Sequence, residues 1–229
     1  MANYRTAEEA RKAYIECMGQ QLGEQFHELW QELAWLYAKW AEYVELFGTR
    51  SSRIDLLNQA APHFFKIVQD SLWEDVILHI ARLTDPPRSS GKENLTIQAL
   101  PELIDDEATR EKVRTLVSEA VETSDFCRDW RNRRIAHKDL KLALEDGVQP
   151  LKAASRERVR KALEAVSDVL NGITSHYSSS ETVFETPAAP GGALTLLYRI
   201  DDGLRIEGER RERLKKGEPE EGDLGPRDI

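Results

Sequence analysis

The residues best suited to chemistry in this chain of 229 residues are concentrated in residues 128–141, the basic segment. It contains one histidine, His137, and a histidine side chain takes up and releases a proton near neutral pH, with an unperturbed pKa of ~6.5. It also contains six basic side chains against two acidic ones, a net charge of +4. Because Arg and Lys neutralise phosphate groups, this segment would suit a negatively charged partner such as nucleic acid.

The formal net charge of −9 for the whole chain excludes a protein that coats nucleic acid with its entire surface. Cys17 and Cys127 have no metal-ligand spacing, so we expect no disulfide framework, no zinc site and no cofactor. No apolar run approaches the ~18 residues of a membrane span. The start of the chain lacks the apolar region of a signal peptide. We therefore expect a cytoplasmic protein with no membrane partner.

Apolar side chains recur at spacings of three and four along most of the chain, which predicts helices. The longest such stripe predicts a long N-terminal helix that ends at Gly48 and packs against other helices rather than binding a ligand. Its members are Leu22, Phe26, Trp30, Leu33, Tyr37, Trp40, Val44 and Phe47. Further helices are predicted after the caps Thr6 and Ser155, from Pro62, and over residues 97–104 and 105–122.

The C-terminal third of the chain changes composition twice. Serines, prolines and glycines predict a linker over residues 178–192. Residues 193–216 are predicted to form a C-terminal helical segment, although Asp202-Gly203 could instead turn a hairpin. Residues 217–229 are charged and poor in apolar side chains, which predicts a disordered tail. A helical bundle is therefore expected over residues 1–177.

The run Arg131-Asn132-Arg133-Arg134-Ile135-Ala136-His137, here called the motif, is followed by Lys138-Asp139. It resembles the signature of the HEPN superfamily (higher eukaryotes and prokaryotes nucleotide-binding), an Arg followed by four to six residues and a His. The match includes the Asn after the Arg and the small residue before the His. The segments Ala81-Arg82-Leu83-Thr84-Asp85-Pro86 and Asn94-Leu95-Thr96 extend the resemblance to the abortive-infection (AbiU-type) branch, over roughly residues 10–205.

The resemblance implies an all-α fold, a multi-helix antiparallel bundle of HEPN type with a long N-terminal helix. It also implies a metal-independent endoribonuclease of toxin or phage-defence type, with RNA as substrate, a second copy of the chain as partner in a homodimer, and an antitoxin as a further partner to consider. In such an enzyme His137 would transfer protons, Arg131 would stabilise negative charge on the scissile phosphate, and Asn132 would orient the phosphate or His137. Arg133, Arg134 and Lys138 would bind RNA, and Asp139 would support His137.

Helix geometry separates the two main residues of the motif. Six residues at 100° each place His137 about 240° from Arg131 on a straight helix, so the two side chains point away from each other. The helix must therefore end or bend between them, or a second protomer must complete the site. A symmetric dimer would bring together two copies of the basic segment.

A non-catalytic alternative fits the same residues. The chain could be a helical module that binds RNA, a nucleotide or a protein partner, and the basic side chains could complement the dipole of a helix end. The acidic net charge favours this alternative, whereas the complete motif favours the ribonuclease. For Arg82 and Asp85 we expect a structural ion-pair role.

Overall fold

Helices form most of the computed structural model, which describes residues 6–89, 91–144, 147, 149–185 and 191–225. The α-helices are α1 Ala7–Met18, α2 Gln20–Phe47, α3 Ser51–Ala60, α4 Pro62–Leu83, α5 Glu107–Thr123, α6 Asp125–Trp130, α7 Leu140–Ala143, α8 Arg156–Tyr177 and α9 Ala193–Lys216. A 3₁₀ helix spans Ile97–Leu103, and a π-helical turn spans Arg131–Ile135. The strands β1 Arg88–Ser89 and β2 Lys92–Glu93 form one short antiparallel pair. The predicted all-α fold is confirmed.

The chain divides into two compact units, Met1–Trp40 with Leu72–Thr186, and Ala41–Ser71 with Pro187–Ile229. The predicted boundaries at residues 177, 192 and 216 stay predictions. The predicted linker and tail extend over residues 186–190 and 226–229, which lie outside the described residues. Within the described ranges, no helix combines the length and the apolar character that a membrane crossing requires.

Most helix ends follow from the capping residues in the sequence. The Thr6 hydroxyl accepts from the Glu9 backbone N–H at 3.2 Å, and the Glu9 carboxylate accepts from the Thr6 N–H at 2.7 Å, a reciprocal cap that starts α1. Pro62 opens α4 and Ser155 caps α8, as predicted. The predicted helix over residues 97–104 is of 3₁₀ type and contains Pro101, which has no N–H to donate to an α-helical bond.

A glycine pair makes the corner between α1 and α2. Gly19 ends α1 with φ +83°, a backbone conformation that costs glycine little. At Gly23 a Cβ atom would lie 2.6 Å from the Cα of Ile15, so only glycine permits this approach of the two helices. The chain therefore breaks between α1 and α2 at these glycines.

In the first unit, α2 buries a stripe that is displaced from the predicted one. Leu29 and Leu36 are fully buried, whereas Trp30 and Tyr37 are only half-buried. The rings of Trp30 and Tyr37 lie 5.8 and 5.6 Å from the ring of Phe184. Periodicity therefore identified the side of α2 that packs against the core, but it did not identify the most buried residues on that side. Phe184, from a loop far along the chain, packs against Trp30 and Tyr37.

The second unit has its own small core. Leu46, Leu57, Phe65, Ala193 and Leu197 are buried together. The N-terminus of α9 is held by Glu42, whose carboxylate accepts from the Ala193 backbone N–H, where a negative charge also complements the helix dipole. Residues 193–216 thus form one helix, and Asp202-Gly203 lies within it instead of turning a hairpin.

A buried histidine lies between α2 and α4 in the first unit. The side chain of His79 is 5% exposed, with Nε2 2.6 Å from the Glu32 carboxylate and Nδ1 3.5 Å from Lys39 Nζ. Burial lowers the pKa of His79, and the positive charges of Lys39 and Arg82 lower it further, whereas Glu32 raises it. The folded protein therefore holds this histidine in its neutral form more strongly than the unfolded chain does.

This difference predicts a loss of stability in acid. Because the unfolded state binds the proton more readily, the free energy of unfolding falls as the pH drops below the ordinary histidine pKa of ~6.5. The slope for this single proton is at most about 1.4 kcal/mol per pH unit. Urea denaturation from about pH 7.5 to about pH 5.5 should show it, and His79→Gln should flatten the dependence. The exposed His63→Gln is the matched control, and equal slopes for the two variants would contradict the assignment.

Candidate active site

The motif lies where a helix changes its winding and ends. α6 passes directly into the π-helical turn, in which the Ala136 N–H donates to the Arg131 carbonyl at 2.8 Å. The Asp139 N–H then donates to the Arg133 carbonyl at 3.1 Å, and the helix is finished before His137. Of the geometries that the sequence left open, the chain adopts the one in which the helix ends between Arg131 and His137. π-helical turns are rare and are found frequently at functional sites.

Arg131 is held in place by a carboxylate from the end of α4. Its Nη1 donates to Oδ2 of Asp85, and both side chains are largely buried, with 21% and 17% of their surface exposed. Its Nε donates to Oδ1 of Asn132 at 3.0 Å. Arg128 approaches the other oxygen of the same carboxylate, with Nε 3.8 Å from Oδ1. The Asp85 carboxylate thus accepts a hydrogen bond from Arg131 and lies within ion-pair distance of Arg128.

The turn that carries Asp85 is tied down by the segment around Thr96. The Thr96 hydroxyl lies 2.9 Å from the Leu83 carbonyl and 2.7 Å from the Asp85 carbonyl, and can donate to either. Gln98 Nε2 and Arg128 Nη2 both donate to the Thr84 carbonyl at 2.7 Å. These contacts satisfy the carbonyls that the last turn of α4 leaves without helical partners. They also explain why the segments around Asp85 and Thr96 occur together in this sequence.

His137 lies beyond the end of the π-helical turn with its side chain exposed. Within the described ranges, no hydrogen bond or ion pair joins it to Arg131, Asn132 or Asp139. The Asp139 carboxylate instead caps α7, accepting from the Lys141 and Leu142 N–H groups at 2.9 and 3.2 Å. Arg131 therefore begins the π-helical turn and is fixed, whereas His137 lies beyond the last residue of the turn, Ile135, and is open to solvent.

The three predicted RNA-binding residues differ in the contacts that they already make within the protein. Arg133 is used internally, donating to Asp129 at 3.3 Å and to the Gln149 carbonyl at 2.6 Å. The Arg134 guanidinium lies over the Trp130 ring, 5.1 Å from its centroid, and has one long contact of 3.4 Å to Glu74. Lys138 is exposed and has no ion pair among the described residues. Arg134 and Lys138 are therefore the available cations.

A cavity of about 770 Å³, the side cavity, opens beside the motif. Its described lining residues are Glu74, Arg133, Arg134, Lys138, Asp139, Leu142, Ala143, Gly147, Pro150 and Leu151. All three predicted RNA-binding residues line it, whereas Arg131, Asn132 and His137 do not. The part of the chain that the structure describes contains no group of three His, Cys, Asp or Glu side chains placed to hold a metal ion.

Sequence reasoning left Asp85 out of the functional residues, although the resemblance already included its segment. Its carboxylate forms an ion pair, as expected, but the partner is Arg131 of the motif itself. The guanidinium of Arg82 faces a different carboxylate, with Nη2 3.9 Å from Glu32. In the sequence, this segment and the motif both belong to the family resemblance, which was the available indication. Because 46 residues separate Asp85 from Arg131, the sequence did not indicate that their side chains form a pair.

Comparison with known proteins relates the chain to a family. A sequence model of the AbiU2 family (HEPN_AbiU2) matches residues 19–195, most of the chain, and this range includes the motif, Asp85 and Thr96. No curated protein and no solved structure matches the chain.

The Asp85 carboxylate should be important to stability as well as to the site. Asp85→Ala leaves Arg128 and Arg131 without their shared partner, so the free energy of unfolding should fall by about 1–3 kcal/mol. The matched control is Glu93→Ala, which breaks the exposed ion pair with Arg88 and should have little effect. Urea denaturation measures both, and equal effects of the two substitutions would contradict a stabilising role for Asp85.

Proposed function

The chain belongs to the AbiU2 family of HEPN type, and on this basis we propose that it is a metal-independent endoribonuclease of toxin or phage-defence type. One observation supports this proposal most directly. The Arg of the motif is oriented by a buried carboxylate while the His of the motif is left open to solvent at the end of the same turn. A fixed guanidinium and an accessible imidazole are the two kinds of group that phosphodiester cleavage without a metal requires.

The proposed reaction is an attack of the RNA 2′-hydroxyl on the adjacent phosphorus. His137 takes the proton of the 2′-hydroxyl, a bond forms between O2′ and phosphorus, and the bond from phosphorus to O5′ breaks. The departing O5′ receives a proton from water, and His137 returns its own proton to the solvent, so the products are a 2′,3′-cyclic phosphate and a free 5′-hydroxyl. DNA lacks the attacking hydroxyl and would resist cleavage.

Arg131 would stabilise the negative charge that develops on the phosphate. Its Nε is used by Asn132 and one Nη1 donor by Asp85. Its Nη2 has no hydrogen bond within the described ranges, so that edge of the planar guanidinium offers donors to a phosphate oxygen. Asp85 and Asn132 fix the orientation of the fork before substrate binds, which is the condition under which such donors are most effective.

A second copy of the chain would complete the site. No hydrogen bond or ion pair joins Arg131 to His137 within the described residues. Arg131 begins the π-helical turn, and His137 lies beyond its last residue, Ile135. The apolar side chains of Leu140 and Leu144, just after the motif, are 71% and 67% exposed. A two-fold symmetric dimer through this region would cover both leucines and place each His137 near the Arg131 of the partner subunit.

A second candidate function is a non-catalytic module that binds RNA, a nucleotide or a protein. The ion pair between Arg131 and Asp85 favours it, because the carboxylate neutralises part of the charge that catalysis would use. In this case the side cavity and the basic segment would bind the ligand without cleaving it.

Substitution of His137 separates the two functions. His137→Ala should lower the rate of RNA cleavage by at least about 100-fold, the contribution usual for a general acid or base. The exposed His63→Ala is the matched control and should cleave at the original rate. Arg131→Lys should also be impaired, because an ammonium keeps the charge but loses the bidentate fork. Gel analysis of labelled RNA in EDTA, with identification of the cyclic phosphate end, measures these effects.

The ribonuclease proposal is wrong if the purified protein cuts RNA only when Mg²⁺ is added, or if His137→Ala cuts as fast as the original protein. Stoichiometric RNA binding without cleavage would instead support the binding module. Lys138→Ala should mainly weaken RNA affinity and reduce its dependence on salt, because it removes one phosphate contact.

Mixing two inactive variants tests the shared site. If each site combines Arg131 of one protomer with His137 of the other, a mixed dimer of Arg131→Ala and His137→Ala has one intact site of two. Random reassociation should then recover about a quarter of the original activity. Light scattering at tens of micromolar should show a dimer, and a monomer, or dimers without recovered activity, would refute the shared site.

A further inference from the structure

The side cavity has walls that the protein fixes in advance. Residues 149–152, the connector, form one wall and are bonded to the helix that carries the motif. Trp130 Nε1 donates to the Lys152 carbonyl at 2.8 Å, and the Lys152 N–H donates to Asp129 at 2.8 Å. Arg133 adds its bond to the Gln149 carbonyl. Arg133 therefore helps to hold the connector that forms this wall, while Arg134 and Lys138 stay available for a ligand.

The lining of the side cavity divides into three chemical parts. Leu142, Pro150 and Leu151 supply apolar surface, and Arg134 and Lys138 supply positive charge. Glu74 supplies a carboxylate that is engaged only through its 3.4 Å contact with Arg134 among the described residues. A nucleotide has the matching three parts, namely the flat face of the base, the phosphate, and the N–H groups on the edge of the base.

The size and charge of the side cavity restrict its ligand. Its volume of about 770 Å³ lies within the ~300–1,000 Å³ usual for small-molecule sites, which suits one nucleotide and not a double helix. An acidic peptide would bring its carboxylates close to Glu74 and Asp139, so like charges would oppose it. A single unstacked nucleotide would place its phosphate against Arg134 and Lys138 and its uncharged base against the apolar part of the lining.

We propose that the side cavity binds one unstacked guanosine nucleotide of single-stranded RNA, and thereby selects the sequence at which the proposed ribonuclease acts. The phosphate contacts Arg134 and Lys138, and the base lies against Leu142 and Pro150. Arg134 exchanges its long 3.4 Å contact with Glu74 for the phosphate. The two oxygens of the Glu74 carboxylate then accept from N1–H and N2–H of guanine, the two neighbouring donors on its Watson–Crick edge. Adenine, cytosine and uracil do not present two such adjacent donors.

Titration with mononucleotides tests this site without requiring cleavage. In the His137→Ala protein, calorimetry with guanosine, adenosine and uridine 5′-monophosphates should show the guanosine nucleotide binding about tenfold more tightly or better, as a bidentate contact would give. Inorganic phosphate alone should bind more weakly than any of the three. Equal affinities for all four probes would overturn the proposal.

Two substitutions connect this binding to the cavity. Leu142→Trp places a bulky ring where the base would lie and should weaken the binding of every nucleotide by at least about tenfold. Leu196→Trp, at an exposed leucine of α9, is the matched control and should change nothing. Glu74→Gln should remove the preference for guanosine while leaving phosphate binding in place. Unchanged guanosine affinity in Leu142→Trp, with circular dichroism showing both variants folded, would refute the site.

The proposal concerns the same RNA substrate as the proposed function, but the two fail in different ways. Guanosine binding that Leu142→Trp abolishes, in a protein that does not cleave RNA, would support the cavity site and contradict the ribonuclease. Metal-independent cleavage that depends on His137, with cleavage positions unchanged by Glu74→Gln, would support the ribonuclease and contradict the cavity site.

Discussion

The carboxylate of Asp85 is the interaction on which the geometry of the candidate site depends. It comes from the turn after α4, and it contacts two arginines, Arg128 of α6 and Arg131 of the π-helical turn. Two guanidinium groups this close would repel each other if the carboxylate were absent. The Asp85 turn is itself held by Thr96, Gln98 and Arg128, so the orientation of Arg131 depends on a chain of contacts that starts well away from the motif.

The cations of the basic segment have two different roles, and the sequence does not show which cation has which role. Some of its cations, Arg128 and Arg133, are used to join pieces of backbone, since they donate to the carbonyls of Thr84 and Gln149. Others, Arg134 and Lys138, face the side cavity with little or no pairing. A net charge of +4 counted along the sequence therefore overstates the charge that a ligand meets, because part of it already serves the fold.

Much of the fold could be predicted from the sequence because the type and the ends of its helices depend on residues that are close together in the chain. The all-α class, the stop at Gly48, the start at Pro62 and the cap at Ser155 follow from periodicity and from residues adjacent to the helix ends. The family followed from the motif and the segments around Asp85 and Thr96. The displaced stripe of α2 was not predicted, because the residues that a helix buries depend on partners that are distant in the sequence. The pairing of Asp85 with Arg131 was hidden for the same reason. The π-helical turn was not predicted because a search for helical period assumes 3.6 residues per turn.

The π-helical turn also bears on how a motif of this kind tolerates insertions during evolution. A turn closed by a bond from residue i+5 to residue i contains one residue more than an α-helical turn. If the residue count between the Arg and the His changed by one, the turn could switch between the two windings and absorb the difference, and the His would keep its direction. In an α-helix of fixed winding the same change would rotate the His by about 100°. Two spacings that differ by one residue are then compatible with one geometry, and alignments that penalise gaps inside the motif would separate sequences whose sites are alike.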